Sequence, residues 1–227
     1  MNIVIIGPGA IGTLWATKLS TSGHNVAVWS TSIDHYLSLQ LDELPPTQFD
    51  NRELASIRQA DLLLVTVKAW QVESALEPLK AFIAPETMIT LMHNGMGTAD
   101  WACDTFSNNP LLLATTTHGA YKPTKHQVVH TGLGLTQIGG VNRSGKQCHF
   151  IQQVLQHALP EVTWCDNIEH ALWLKLAVNC AINPLTAIFQ VKNGELASEQ
   201  YKNQLTNVIE EVCLLYTSDA ADEHSWV

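Results

Sequence analysis

A short apolar run, Ile3-Val4-Ile5-Ile6, leads straight into Gly7-Pro8-Gly9-Ala10-Ile11-Gly12, and this junction constrains the fold more than any other stretch of the chain. A β-branched apolar run ended by glycine reads as a buried parallel strand. From Ala10 to Ser22 the spacing becomes helical through Ile11, Leu14, Trp15 and Leu19, and Gly23 supplies a stop. Val26 to Trp29 reads as a second strand, completing a βαβ unit. The G-x-G-x-x-G pattern then sits where its mechanism requires it. Gly7 allows a tight turn, Gly9 lets the backbone approach a pyrophosphate, and Gly12 lets helix and strand pack closely. The helix N-terminus adds free N–H groups and the positive end of its dipole. A purely structural glycine turn would need none of this context, so Gly7, Pro8, Gly9, Ala10, Ile11 and Gly12 are read as binding a dinucleotide.

The pattern continues as α/β. Leu44-Pro45-Pro46 marks a loop. Leu62 to Val67 is a fully apolar strand, Val72 to Ile83 reads as a helix, and Met88 to Met92 as the next strand. Alternation of this kind predicts a Rossmann-like sheet with helices on both faces. Residues 111–141, rich in Thr, Gly and β-branched types, predict strands joined by tight turns, in the manner of an antiparallel extension. Near Asp166 the texture becomes helical: residues 166–183 form one long helix closed by Asn183-Pro184, and Glu195 to Val212 form another. The expected organisation is a Rossmann-like domain over 1–165 followed by an all-helical domain that begins at 166.

Composition narrows the partners. The net charge is −9 and the pI about 5.5, which argues against nucleic acid or an anionic membrane. The cysteines at 103, 148, 165, 180 and 213 form no C-x-x-C pair, and the ten histidines show no H-E-x-x-H spacing, so no metal site is signalled. No G-x-S-x-G occurs to mark a nucleophilic serine. The N-terminal apolar run is too short for a signal peptide or a membrane span, and the thiol pattern suits a reduced, cytoplasmic protein.

Three further features point to chemistry. An NAD site places a carboxylate about 20 residues beyond the glycines to hold the ribose 2′-hydroxyl. Trp29-Ser30-Thr31-Ser32 stands there instead, which favours NADP, with hydroxyls to receive the extra phosphate. Lys68, and Asn94 within His93-Asn94-Gly95-Met96-Gly97, follow the carboxyl ends of two apolar strands, where open α/β sheets bind ligands. Lastly, Leu172 to Asn183 is apolar almost all round and predicts a buried helix, yet Lys175, Asn179 and Asn183 recur every four residues on one face. A narrow, lightly charged polar stripe on an otherwise apolar helix points to a cleft, over the alternative of a solvent-facing stripe on an amphipathic helix. An ammonium there can donate a proton to the oxygen of a ketone receiving a hydride, and the asparagines can orient the substrate.

With these residues in view the sequence resembles the 2-dehydropantoate 2-reductase (ketopantoate reductase) family. The resemblance rests on Leu63 to Gln71, His93 to Gly97, Leu174 to Asn179, Asn183-Pro184-Leu185-Thr186 and Asn193-Gly194-Glu195-Leu196. It implies reduction of 2-dehydropantoate by NADPH to (R)-pantoate, on the route to pantothenate and coenzyme A. By matching position Lys175 resembles the general acid, Lys68 a cofactor-contacting lysine, and Asn94 the residue meeting both cofactor and substrate. Asn179, Asn183 and Asn193 resemble the substrate-binding asparagines. Thr31 stands where close relatives carry an arginine for the 2′-phosphate.

The family's helical domain continues further and contributes a serine and a glutamate that this chain does not contain. From Cys213 to Glu223 the helical pattern drops, and the segment matches one reading frame of a transposon adapter used for sequencing libraries, so residues 213–227 are expected to be non-native. Apolar surface on the helix after 166 is then expected to stand uncovered, with poor solubility and weak activity. Two other readings stay open: a reductase of another branched keto or hydroxy acid, and a fragment that binds dinucleotide without catalysis.

Overall fold

The computed structural model describes residues 1–222, with side-chain surroundings through 214. Strands β1 (Asn2–Ile6), β2 (Asn25–Trp29), β5 (Leu62–Val65), β6 (Met88–Met92) and β7 (Leu111–Thr116) form the parallel part of a seven-stranded sheet. Its order is β11-β10-β7-β6-β5-β1-β2, with β10 (Thr136–Gly140) antiparallel to β7 and β11 (Val162–Trp164) parallel to β10. Every residue of β5, β6 and β7 is buried. That is the expected state of strands covered on both faces, and it explains their unbroken apolar sequences.

A second sheet of four strands has the order β4-β3-β9-β8. Strands β3 (Tyr36–Leu41) and β4 (Thr47–Asp50) form a hairpin around Asp42–Pro46, so the prolines read as a loop are the turn between two strands. Gln40 and Leu41 pair in parallel with Gln127 and Val128 of β9 (Gln127–Gly132), which pairs antiparallel with β8 (Gly119–Tyr121). Helix α1 (Ala10–Thr21) packs against β1 and β2 on one side and against β3, β8 and β9 on the other. It is therefore buried nearly all round: Leu14, Trp15 and Leu19 are fully enclosed and share one core with Ile5, Leu39, Leu41, Leu64 and Val128. Gly23, at φ +87, ends it in the left-handed conformation that glycine adopts without strain.

The extension predicted for 111–141 divides between the two sheets: β7 and β10 lie in the large one, β8 and β9 in the small one. The helix expected over 72–83 is half α, α3 (Val72–Leu76), and half 3-10 (Glu77–Phe82). Pro78 has no N–H to continue the α ladder, and the chain tightens there. Helix α2 (Leu54–Arg58) precedes β5, and helix α4 (Ala99–Thr105) fills the connection from β6 to β7. The sequence reading left 150–164 without elements, whereas helix α5 (Phe150–Ala158) and β11 lie there.

The chain divides into two compact units, one over Met1–Ala171 and one from Leu172 onward. Helix α6 (Ile168–Phe189) begins in the first and continues in the second, and it does not stop at Pro184. Proline removes one backbone donor from a helix, and here the helix carries that loss for a further turn. A 3-10 turn (Asn193–Ala197) and helix α7 (Glu199–Asp222) follow, with Leu196 buried and the rings of Phe189 and Tyr201 4.9 Å apart. Helix α7 runs through the point where the helical pattern was expected to stop, and is continuous to Asp222. Propagating a helix needs only tolerant residues, not an apolar stripe. The all-round burial read from the α6 sequence is not met, and apolar surface stands uncovered on this helix as also expected: Leu174 is 57% exposed and Ile188 71%. Among the described residues this helix alone is long and apolar enough to cross a membrane, by length and composition.

Candidate functional site

The glycine turn is held by backbone geometry that only glycine permits at two positions. The N–H of Gly7 donates to the Trp29 carbonyl (2.9 Å), and Gly7 adopts φ +82 with its α-carbon against the Val67 side chain. A Cβ on Gly12 would lie 2.5 Å from the Thr66 hydroxyl and 2.6 Å from the Gly7 carbonyl oxygen. Gly9 is different: a Cβ there meets nothing closer than 3.9 Å, so the turn is open on that side. The first helical bond runs from the Thr13 N–H to the Gly9 carbonyl (2.9 Å), which leaves the N–H groups of Ala10, Ile11 and Gly12 outside the helical ladder and available to phosphate. Two hydroxyls brace the turn. Thr66 Oγ1 donates to the Gly7 carbonyl (2.8 Å) and Thr13 Oγ1 to the Pro8 carbonyl (3.2 Å). The sequence reading missed both, although a hydroxyl residue ending an otherwise apolar strand was a visible signal.

A cavity of about 830 Å³ opens from this turn. Its floor is Gly7 to Gly9, one wall is Trp29 to Ser32 with Arg52, a second carries Lys68 and Gln71, and the rim carries Lys122, Lys125 and His126 from the β8–β9 connection. Lys122 Nζ donates to the Pro8 carbonyl (3.4 Å). Partial burial, and then the neighbouring Lys125, push its ammonium below the ordinary lysine range.

The Ser30–Asp34 loop has a buried clamp. Asn51 accepts from the Ser30 N–H (3.0 Å) and donates to the carbonyls of Ser32 (3.1 Å) and Asp34 (2.6 Å). Asn51→Ala is expected to cost about 1–3 kcal/mol, because it removes three hydrogen bonds between a buried side chain and part-buried backbone groups. Urea unfolding reads this directly, and an unchanged midpoint would show that the Asn51 clamp adds nothing to stability.

The cavity brings together Gly7, Pro8, Gly9, Thr31 and Lys68 of the residues expected to hold cofactor. Ala10, Ile11 and Gly12 form the first helical turn behind it. Asn94 follows β6 and does not line the cavity, although the adjacent Gly95 lies beside Ala69, next to Lys68. Lys175, Asn179, Asn183 and Asn193 belong to the second unit. Along α6 the first three share one face, with Lys175 and Asn179 half-buried and Asn183 exposed. Burial pushes the Lys175 ammonium below its ordinary range. Asn193 opens the 3-10 turn and is exposed.

A mostly parallel sheet, a glycine turn packed on two sides and open on the third, and a cation-rimmed cavity define a dinucleotide-binding protein of the Rossmann type. The family model "Ketopantoate reductase PanE/ApbA" matches residues 3–143, and "Ketopantoate reductase PanE/ApbA C terminal" matches residues 167–224. The chain is 50% identical over 220 residues to the 2-dehydropantoate 2-reductase of Vibrio cholerae, covering 97% of this chain and 74% of that one. A PanE/ApbA family ketopantoate reductase structure from Ralstonia eutropha superposes with a TM-score of 0.77 at 25% identity, covering 97% of this chain and 75% of that one. A ternary structure of D-mandelate dehydrogenase with NADH and anilino(oxo)acetate superposes with a TM-score of 0.84 at 20% identity, over 97% of this chain and 75% of that one, and shows the shared fold. The chain belongs to the ketopantoate reductase PanE/ApbA family and is a nicotinamide-dinucleotide-dependent oxidoreductase.

Proposed function

We propose that this protein reduces 2-dehydropantoate to (R)-pantoate with NADPH, in the cytoplasm, as a step toward pantothenate and coenzyme A. In a chain of this family, the observation that carries the reading is a half-buried lysine, Lys175, on one helical face with Asn179 and Asn183. NADPH, when bound, supplies the hydride to the keto carbon. Lys175 holds the proton that the carbonyl oxygen takes up as the carbon is reduced. Asn94, Asn179, Asn183 and Asn193 orient the hydroxyl and carboxylate groups of the substrate. Gly7 to Gly12, with Lys68, hold the pyrophosphate side of the cofactor, and Thr31 offers a hydroxyl to its ribose end. In this reading residues 1–165 carry the cofactor and 166–212 begin the part that meets the substrate.

D-Mandelate dehydrogenase shares the fold, which keeps a second reading alive: reduction of another branched 2-keto acid. Loss of nicotinamide absorbance, followed with NADPH or NADH and a panel of 2-keto acids, separates the two. The proposal expects ketopantoate with NADPH to give the highest kcat/KM. A higher value with an aromatic or differently branched 2-keto acid transfers the assignment to that substrate.

A further inference from the structure

We propose that Arg52 recognises the 2′-phosphate of NADPH, reaching it from the turn after β4 instead of from the end of β2. The inference rests on the NADPH reading above and names the residue responsible.

Three anchors bring Arg52 to the end of β2. Its N–H donates to the Val28 carbonyl (3.1 Å), where Asn51 bridges β2 in parallel. Its guanidinium Nη1 donates to the Ser30 carbonyl (3.1 Å), and its guanidinium carbon stands 5.3 Å from the centre of the Trp29 ring. The backbone takes φ +61, a left-handed conformation uncommon for a residue with a Cβ. Such a conformation persists only where the surroundings over-determine it, and it collects at ligand sites. Here the strained turn serves to aim one side chain along the Ser30–Ser32 wall of the cavity.

The charge it delivers is not spent within the fold. Among the described residues no carboxylate forms an ion pair with Arg52: the adjacent Glu53 pairs with His35, and Asp34 accepts from Ser32. A guanidinium offers five N–H donors in a planar fork, and the Ser30 carbonyl takes one. The others remain to meet phosphate oxygens in the bidentate manner that arginine does best, while the Trp29 face fixes the plane of the fork. Ser30, Thr31 and Ser32 contribute no carboxylate to oppose it. NADH carries a hydroxyl at the same place and gains little from an arginine there.

Calorimetry on the unaltered protein, Arg52→Gln and Arg52→Lys tests this with four ligands: NADPH, NADH, 2′,5′-ADP and 5′-AMP. Arg52→Gln is expected to weaken NADPH and 2′,5′-ADP by roughly ten- to a hundredfold, and NADH and 5′-AMP by less than about twofold. Arg52→Lys is expected to recover part of the loss, keeping the charge without the fork. Equal weakening of all four ligands would make Arg52 a structural residue and overturn the proposal, as would 2′,5′-ADP binding that Arg52→Gln leaves intact. If the unaltered protein holds 2′,5′-ADP no more tightly than 5′-AMP, the NADPH reading itself falls and the proposal falls with it.

Discussion

Gly12→Val is expected to abolish measurable dinucleotide binding and to destabilise the fold together. A Cβ at this position would overlap the Thr66 hydroxyl at 2.5 Å and the Gly7 carbonyl oxygen at 2.6 Å, and would press on Ile5 at 3.2 Å. None of these can yield cheaply. The Gly7 carbonyl belongs to the turn itself and accepts from both Thr66 Oγ1 and the Gly9 N–H (2.7 Å), and Ile5 is fully buried in β1. The first turn of α1 must therefore lift away from β1, and the phosphate-facing N–H groups leave with it. Overpacking of this kind costs about 1–3 kcal/mol, and affinity is expected to fall by at least roughly a hundredfold, since several charge-assisted hydrogen bonds are lost at once. Gly9→Ala is the informative contrast. Its Cβ has room within the protein, so stability should hold while the methyl intrudes on the ligand side and weakens binding. Calorimetric titration with NADPH beside urea denaturation distinguishes the two. A Gly12→Val protein that binds normally would show that the turn does not hold the cofactor.

Lys175→Met is expected to lower kcat for ketopantoate by roughly two to four orders of magnitude, the range for loss of a general acid, with NADPH affinity unchanged. The pH dependence carries a sign. Burial holds the Lys175 ammonium below the usual lysine range. With Lys175 as the proposed proton donor, the rate of reduction should fall as pH rises through that lowered value, earlier than for a solvent-exposed lysine. The reverse oxidation, drawing on the neutral amine in the same proposal, should gain over the same window. For stability the direction follows from proton counting. Between the lowered folded value and the ordinary lysine value the unfolded chain binds more protons, so Lys175 contributes a stability that rises with pH across that window. A pH–rate profile whose alkaline limb survives in Lys175→Met would assign the limb to another group.

Sequence alone carried the first βαβ unit and the large sheet further than the second layer packed outside them. The strand–glycine–helix junction was legible because one pattern demanded several things at once, and β5 and β6 because burial on both faces leaves an unbroken apolar signature. The small sheet was not read. Yet Leu37, Leu39 and Leu41 alternate with polar residues in β3, and Leu39 and Leu41 are fully buried. The two prolines that follow mark the turn more strongly than three alternating leucines mark the strand before it. The pairing of β3 with β9 lies beyond any local pattern, because it joins segments about 90 residues apart. Arg52 was hidden for the same reason: its neighbour in sequence is a loop, and its neighbour in space is the end of β2. At the other end of the chain, Pro184 and the loss of helical pattern after Val212 mark helix stops in the sequence, whereas both lie inside helices.

The parallel pairing of β3 with β9 also sets the order of events during synthesis. Gln40 and Leu41 leave the ribosome long before Gln127 and Val128, their partners. At a synthesis rate of about 5–20 residues per second, roughly 4–18 s pass in which β3 lacks its neighbour β9 and α1 lacks the β8–β9 part of its outer cover. During that interval the face of α1 that β8 and β9 will cover is open, and β3 offers an unpaired strand edge to any other chain. For this protein the hazardous moment belongs to the nascent chain, and it ends when residues 119–132 arrive to close the second layer.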